Sequence, residues 1–150
     1  MRVVVQKVKN ASVKVNNHLV GEIKNGLVVL AGYESSDSME DISWMVQKII
    51  KMRIFEDSEN RLNFSVLDVN GEILLISQFT LHASVKKGNR PSYIKAADSK
   101  KAKQMYDQTI NQFETVLKRK ISTGEFGANM EVSLVNNGPV TITIDSKKKE

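Results

Sequence analysis

The sequence predicts an α/β protein: mainly antiparallel strands curled into a two-layer, barrel-like core, with two helices packed on one face to make three layers. Three observations predict it. Apolar residues alternate with polar ones in the N-terminal third, two longer segments repeat their apolar residues at helical spacing, and Asn- and Gly-containing pairs punctuate the strand-like runs. A chain of 150 residues is long enough to bury one core, so a single domain spanning 1–150 is expected.

The elements follow in order. Val3 and Val5, then Val13 and Val15, alternate with polar residues, and Gly26 to Gly32 is a continuous apolar run of the buried-strand type. Asn16-Asn17 and Asn25-Gly26 supply the turns, so the opening reads as a meander of three or four strands. Ser36 to Ser38 offer capping side chains, Glu40 and Asp41 suit the positive end of a helix dipole, and Ile42, Met45, Val46, Ile49 and Ile50 make one apolar stripe to about Met52. Trp44 lies beside that stripe as a packing residue. Asn63–Val69 and Glu72–Phe79 flank Asn70-Gly71, the strongest hairpin signal in the chain. Within the second of these, Ile73-Leu74-Leu75-Ile76 is apolar at every position, so this strand is central and covered on both faces. Asp98 or Ser99 caps a second helix with a stripe of Ala102, Met105, Tyr106, Ile110, Phe113, Val116 and Leu117. A Gly-rich connection, Thr123 to Met130, then leads to a closing hairpin, Glu131 to Ile144, with its turn at Asn136-Asn137-Gly138-Pro139. The proline is odd there, because it removes a donor and fixes φ where Asn-Asn-Gly alone would close the turn.

Composition narrows the chemistry. The absence of cysteine removes disulfides, thiolate nucleophiles and cysteine metal sites, and it fits a reducing cytoplasm. The apolar run at the N-terminus is too short for a signal peptide or a membrane span, so a cytoplasmic protein without membrane association is expected. Two histidines, His18 and His82, with no close-spaced ligand set argue against a metal site. GxSxG, Walker and Rossmann loops are all missing, and no carboxylate pair has glycosidase spacing. The formal charge is +5, yet Lys86 to Lys120 holds ten Lys or Arg against Asp98, Asp107 and Glu114, a net +7. Such a concentration suits a polyanion such as tRNA. On charge alone, a helix face made soluble by lysine is the first explanation.

The remaining polar set issues from the end of the buried strand: Ser77, Gln78 and Thr80, with His82 beyond. Residues two apart on an extended strand share a face, so His82 is the one nearby base for Thr80 as a nucleophile. The plain reading is a strand threonine and a surface histidine. Alternatively, backbone N–H groups of Ser77 to Thr80 form an oxyanion pocket for an ester that is already activated.

Six stretches in order, "MRVVVQKV", "KMRIFEDSENRLNFSV", "SQFTL", "KGNRPS", "FGANM" and "NNGPVT", resemble the D-aminoacyl-tRNA deacylase family over nearly the whole chain. The resemblance implies hydrolysis of D-aminoacyl-tRNA without metal or cofactor, with glycyl-tRNA accepted as well. It implies a homodimer in which Gly138-Pro139, in cis, enters the partner's site as a chirality gate. Ser77, Gln78, Phe79 and Thr80 would form the catalytic pocket, Ala102, Phe126 and Met130 would line it, and Lys86, Lys87 and Arg90 would meet the tRNA acceptor stem. Helix and hairpin core is an equally good account of Ala102, Phe126 and Met130. Three positions depart from the family's pattern: Lys7 replaces an arginine, His82 a tyrosine and Asn137 an aspartate. The rival readings are a non-enzymatic RNA-binding dimer and a Thr80-dependent esterase for small substrates.

Overall fold

The computed structural model describes residues 1–149. The chain order is β1 (Arg2–Val15), β2 (His18–Ile23), β3 (Gly26–Gly32), α1 (Met39–Lys51), β4 (Phe55–Glu56), β5 (Leu62–Phe64), β6 (Glu72–Ser77), a 3-10 turn (Phe79–His82), α2 (Ser99–Leu117), β7 (Ser122–Thr123) and β8 (Glu131–Asp145). It is an α/β fold with a nearly closed, barrel-like sheet and two helices.

The sheet is mixed, which refines the mainly antiparallel expectation: three pairs are antiparallel and two are parallel. β2, β3 and β8 all run antiparallel to β1, but β3–β6 and β6–β7 are parallel pairs. The Asn70-Gly71 hairpin does not form. β6 leaves that turn to pair with β3, while β5 turns back on β4. The physical reason is burial: Ile73 to Ile76 are all buried, and a two-sided apolar strand gains most beside β3, itself buried on both faces. α1 is the crossover that a parallel β3–β6 pair requires.

The closing hairpin is also corrected. Glu131–Asp145 is one long strand along β1, with its register slipping between Gln6 and Asn10. The slip throws Asn137 to Val140 outward as a bulge instead of a turn. Gly138 has φ +121, a region open to glycine, and the Gly138-Pro139 peptide is cis. With its amide assigned in the orientation that satisfies both ends, Asn136 clips the bulge shut, its nitrogen donating to the carbonyls of Lys7 (2.8 Å) and Val140 (3.2 Å) and its oxygen accepting from Thr141 Oγ1 (3.1 Å).

Period two sorts the sheet's side chains. Val3, Val5, Leu27, Val29, Ile73 and Leu75 face the helices, where Ile42, Met45, Ile49, Met105 and Phe113 meet them. Val8, Val13, Val28, Leu74 and Ile76 face inward and fill the curl of the sheet. Phe113 is fully buried, and its truncation to Ala would cost about 3–5 kcal/mol. The curl closes where β2 meets β7. A Cβ on Gly21 would lie 2.6 Å from the Thr123 carbonyl, and Ser122 Oγ donates to the Glu22 carbonyl at 2.7 Å. Both helices carry the expected caps: Ser38 and Asp41 form a capping box on α1, and Asp98 accepts from Lys101 N on α2.

Candidate active site

Because β3 and β6 are parallel, their C-terminal ends lie side by side, the place where ligands bind in α/β sheets. Ala31 pairs with Ser77, and beyond this pair the strands diverge around a cavity of about 560 Å³, a size suited to a small ligand. Ala31 to Tyr33 and Ile76 to Phe79 form one side. Ala97, Ser99 and Ala102 at the start of α2 form another, and Phe126 to Met130 with Val132 close it. Ser77, Gln78, Phe79, Ala102, Phe126 and Met130 thus meet in one cavity. The Phe126 ring stacks obliquely on Tyr106 at 5.6 Å, and Tyr106 is anchored by its hydroxyl, which donates to the Leu75 carbonyl.

Thr80 is not in the lining. Its hydroxyl accepts from Gln78 Nε2 at 2.5 Å, and an amide is no base. Residues 79–82 form a 3-10 turn instead of continuing the strand, so Thr80 and His82 do not share an extended face. His82 is buried, correcting its reading as a surface residue. Neither ring nitrogen has a hydrogen-bond partner among the described residues, and Glu34 Oε2 lies 3.9 Å from Nδ1. Backbone donors also sort themselves. Gln78 N–H is used on the Ala31 carbonyl (2.7 Å), whereas the N–H groups of Phe79 and Thr80 precede the first bond of the turn, Leu81 N to Gln78 O.

The lining carries one titratable side chain among the described residues, Tyr33. Burial pushes its phenol well above the usual tyrosine range, against the opposing hydrogen bond with Thr109, so it stays neutral. Sequence reasoning missed Tyr33, together with Ser99 and Asn129. The signal was available: Tyr33 directly follows a fully apolar strand, and a parallel pairing brings that end to the end of β6.

Gly138 and Pro139 do not line this cavity. They project from β8 beside Lys7, five residues along β1 from the Arg2–Gly32 pair at the cavity's end, or about 16 Å at strand spacing. The Lys7 side chain is 0% exposed, its Nζ 2.6 Å from Glu56 Oε1, and its Cε stands 3.7 Å from where a Cβ on Gly138 would lie. Lys86, Lys87 and Arg90 are exposed on the loop outside the cavity. No helix among the described residues is long and apolar enough to cross a membrane.

A mixed, nearly closed sheet with an uncharged cavity at the ends of two parallel strands defines the class as an α/β domain with a candidate site at the strand ends. Residues 4–145 match the family model described as D-Tyr-tRNA(Tyr) deacylase. The chain belongs to that family. It is 55% identical over 150 residues, the full length of both chains, to the D-aminoacyl-tRNA deacylase of Flavobacterium psychrophilum. It is 52% identical, also over the full length of both, to that of Bacteroides fragilis. Among solved structures it is similar to a c-Myc DNA unwinding element binding protein, with a TM-score of 0.92 and 38% identity over 97% of this chain and 98% of the other.

Proposed function

We propose that this chain hydrolyses the ester of D-aminoacyl-tRNA, the reaction for which its full-length relatives are named. The observation that carries the mechanism is the uncharged lining with Tyr33 held neutral. No side chain in it is placed to serve as a base, so the reaction relies on an activated ester and on main-chain donors. Water adds to the ester carbonyl, and the resulting oxyanion accepts from the N–H groups of Phe79 and Thr80. The bond to the ribose oxygen then breaks as that oxygen takes the proton given up by the attacking water, which the neighbouring ribose hydroxyl orients. Ser77 and Gln78 shape the wall behind the carbonyl, and Ala102, Phe126 and Met130 bound the space for the substrate. The Thr80 hydroxyl orients Gln78.

Handedness is judged by exclusion. Main-chain carbonyls of Gly138 and Pro139, set against the substrate Cα, leave room for hydrogen and none for a side chain, so a D-residue or glycine enters and an L-residue clashes. In this reading the two residues, which stand apart from their own chain's cavity, act on a partner's, and the working unit is a homodimer. Lys86, Lys87 and Arg90 contact phosphates of the acceptor end without reading sequence.

The test is deacylation of D-tyrosyl-tRNA and L-tyrosyl-tRNA by the purified protein with chelator present. Loss of the D-ester alone is expected. Equal rates reject the gate, and tight, salt-sensitive tRNA binding without turnover supports the RNA-binding rival instead.

A further inference from the structure

The rim of the cavity exposes more aromatic surface than catalysis there uses. Phe79 is 56% exposed and Tyr93 41%, and Ile94 beside them is 93% exposed. Phe79 lines the cavity while Tyr93 stands outside it, their ring centroids 5.1 Å apart and their planes at 72°. An edge-to-face pair covers one ring face of the four, so flat aromatic surface stays open to water. Contiguous surface of this kind marks a binding surface more often than a packing remnant.

The loop that presents Tyr93 is tied at both ends. Ser84 and Ser92 exchange backbone hydrogen bonds of 2.8 and 2.9 Å, Ala96 N donates to the Tyr93 carbonyl, and Ala97 N donates to the Tyr33 carbonyl inside the cavity wall. Between Ser84 and Ala97 the loop carries Lys86, Lys87, Arg90 and Lys95 and no acid. None of the four joins an ion pair among the described residues. Open rings beside unpaired cations are the two components of a single-strand nucleic-acid surface: bases stack on rings while phosphates meet the charges.

We infer that Phe79 and Tyr93 form a stacking platform for the nucleobase next to the terminal adenosine of the tRNA. The inference rests on the deacylase reading of the cavity. With the terminal ester inside, the strand leaves over the Phe79 lip and its next base reaches Tyr93. Tyr93 is then a positioning residue that acts on affinity for the polynucleotide and not on the bond being broken.

The experiment compares D-tyrosyl-tRNA with D-tyrosyl-adenosine, the same ester lacking that base. Tyr93→Ala should raise KM for the tRNA substrate roughly tenfold, at the lower part of the range for one lost base stack, and leave hydrolysis of the adenosine ester unchanged. Tyr93→Phe should restore the wild-type KM, since stacking needs the ring and not the hydroxyl. In parallel, tRNA carrying 2-aminopurine at that position should be quenched on binding wild type and Tyr93→Phe but not Tyr93→Ala. Equal losses on both esters, unchanged quenching in Tyr93→Ala, or dissociation of a dimer on Tyr93→Ala would overturn the platform. Quenching without hydrolysis of either D-ester by wild type would sink the deacylase reading and leave the platform standing.

Discussion

Two interruptions of strand carry the main-chain groups assigned to the reaction, and they are built in opposite ways. The Phe79–His82 turn follows a strand whose centre, Ile73 to Ile76, is buried throughout. Its backbone is fixed by Gln78 N to Ala31, Leu81 N to Gln78 and Ala83 N to Thr80, and Arg2 Nη1 reaches the Leu81 carbonyl at 3.3 Å. The Asn137–Val140 bulge instead breaks a largely exposed strand, with Gly138 and Pro139 in solvent. Each rests on a cation–carboxylate pair from β1: Arg2–Asp145 supports the turn, and Lys7–Glu56 supports the bulge. A wall needs neighbours on every side, whereas a part proposed to act on a partner's cavity needs a rigid base and a free tip. The difference teaches that rigidity here is supplied locally at the turn and from beneath at the bulge.

The sharpest way to break the comparison is Gly138→Ala. A Cβ there would meet Val140 Cγ2 at 2.8 Å and Val140 N at 3.1 Å, at a φ that L-residues rarely adopt. We expect about 1–3 kcal/mol of lost stability by denaturant unfolding. Displacing the carbonyls should also lower D-ester hydrolysis by about 100-fold. A folded Gly138→Ala protein with a wild-type rate would remove the bulge from the reaction.

The turn should respond far less to side-chain loss. Thr80→Val keeps the shape and deletes the hydroxyl that accepts from Gln78. Because the N–H of residue 80 survives the change, kcat on D-tyrosyl-tRNA should fall by less than about tenfold. Loss of a nucleophile would cost several orders of magnitude, and such a loss in a folded protein would move the chemistry from main chain to Thr80.

Much of this contrast was legible in the residues, and the misses share one cause. The caps and stripes of α1 and α2 depend on contacts within a few turns, so the residues narrowed the caps to Ser36–Ser38 and to Asp98 or Ser99, and the structure places them at Ser38 and Asp98. The hairpin read at Asn70-Gly71 failed because local turn chemistry competes with long-range burial: Asn70 does take a left-handed φ of 49, yet the strand leaving it joins β3. The all-apolar Ile73 to Ile76 pointed to a parallel neighbour, and taking that signal over the turn would also have led to Tyr33. At Gly138-Pro139 the residues marked an unusual backbone, but not that it is a bulge in a single strand, because register along β1 is set by pairing residues more than a hundred positions apart. Lys7 differs again: nothing local says that a lysine on β1 is buried, since its partner Glu56 lies beyond the first helix.

The two supporting pairs permit a finer and smaller test through pH. The hydrogen bond from Lys7 holds the Glu56 carboxyl below its ordinary value. For Asp145, burial alone would raise the carboxyl, but bonds from Arg2 and from Lys147 N outweigh it and lower it. A carboxyl depressed in the folded state stabilises that state above its unfolded pKa, ordinarily about 4, and the contribution disappears as pH falls through that value toward the folded one. Both pairs should therefore be at full strength at neutral pH and weaken on acidification from about pH 5 to 3. Glu56 is 38% exposed and its side of the pair is open to salt, so its share should be the smaller. Thermal midpoints of wild type, Glu56→Gln and Asp145→Asn across that range should show a shallower acid decline in both variants, by a few degrees at most. The larger flattening should occur in Asp145→Asn. Identical slopes in all three would mean that neither pair supports its segment, and the contrast between a turn fixed by its core and a bulge propped from beneath would lose its electrostatic half.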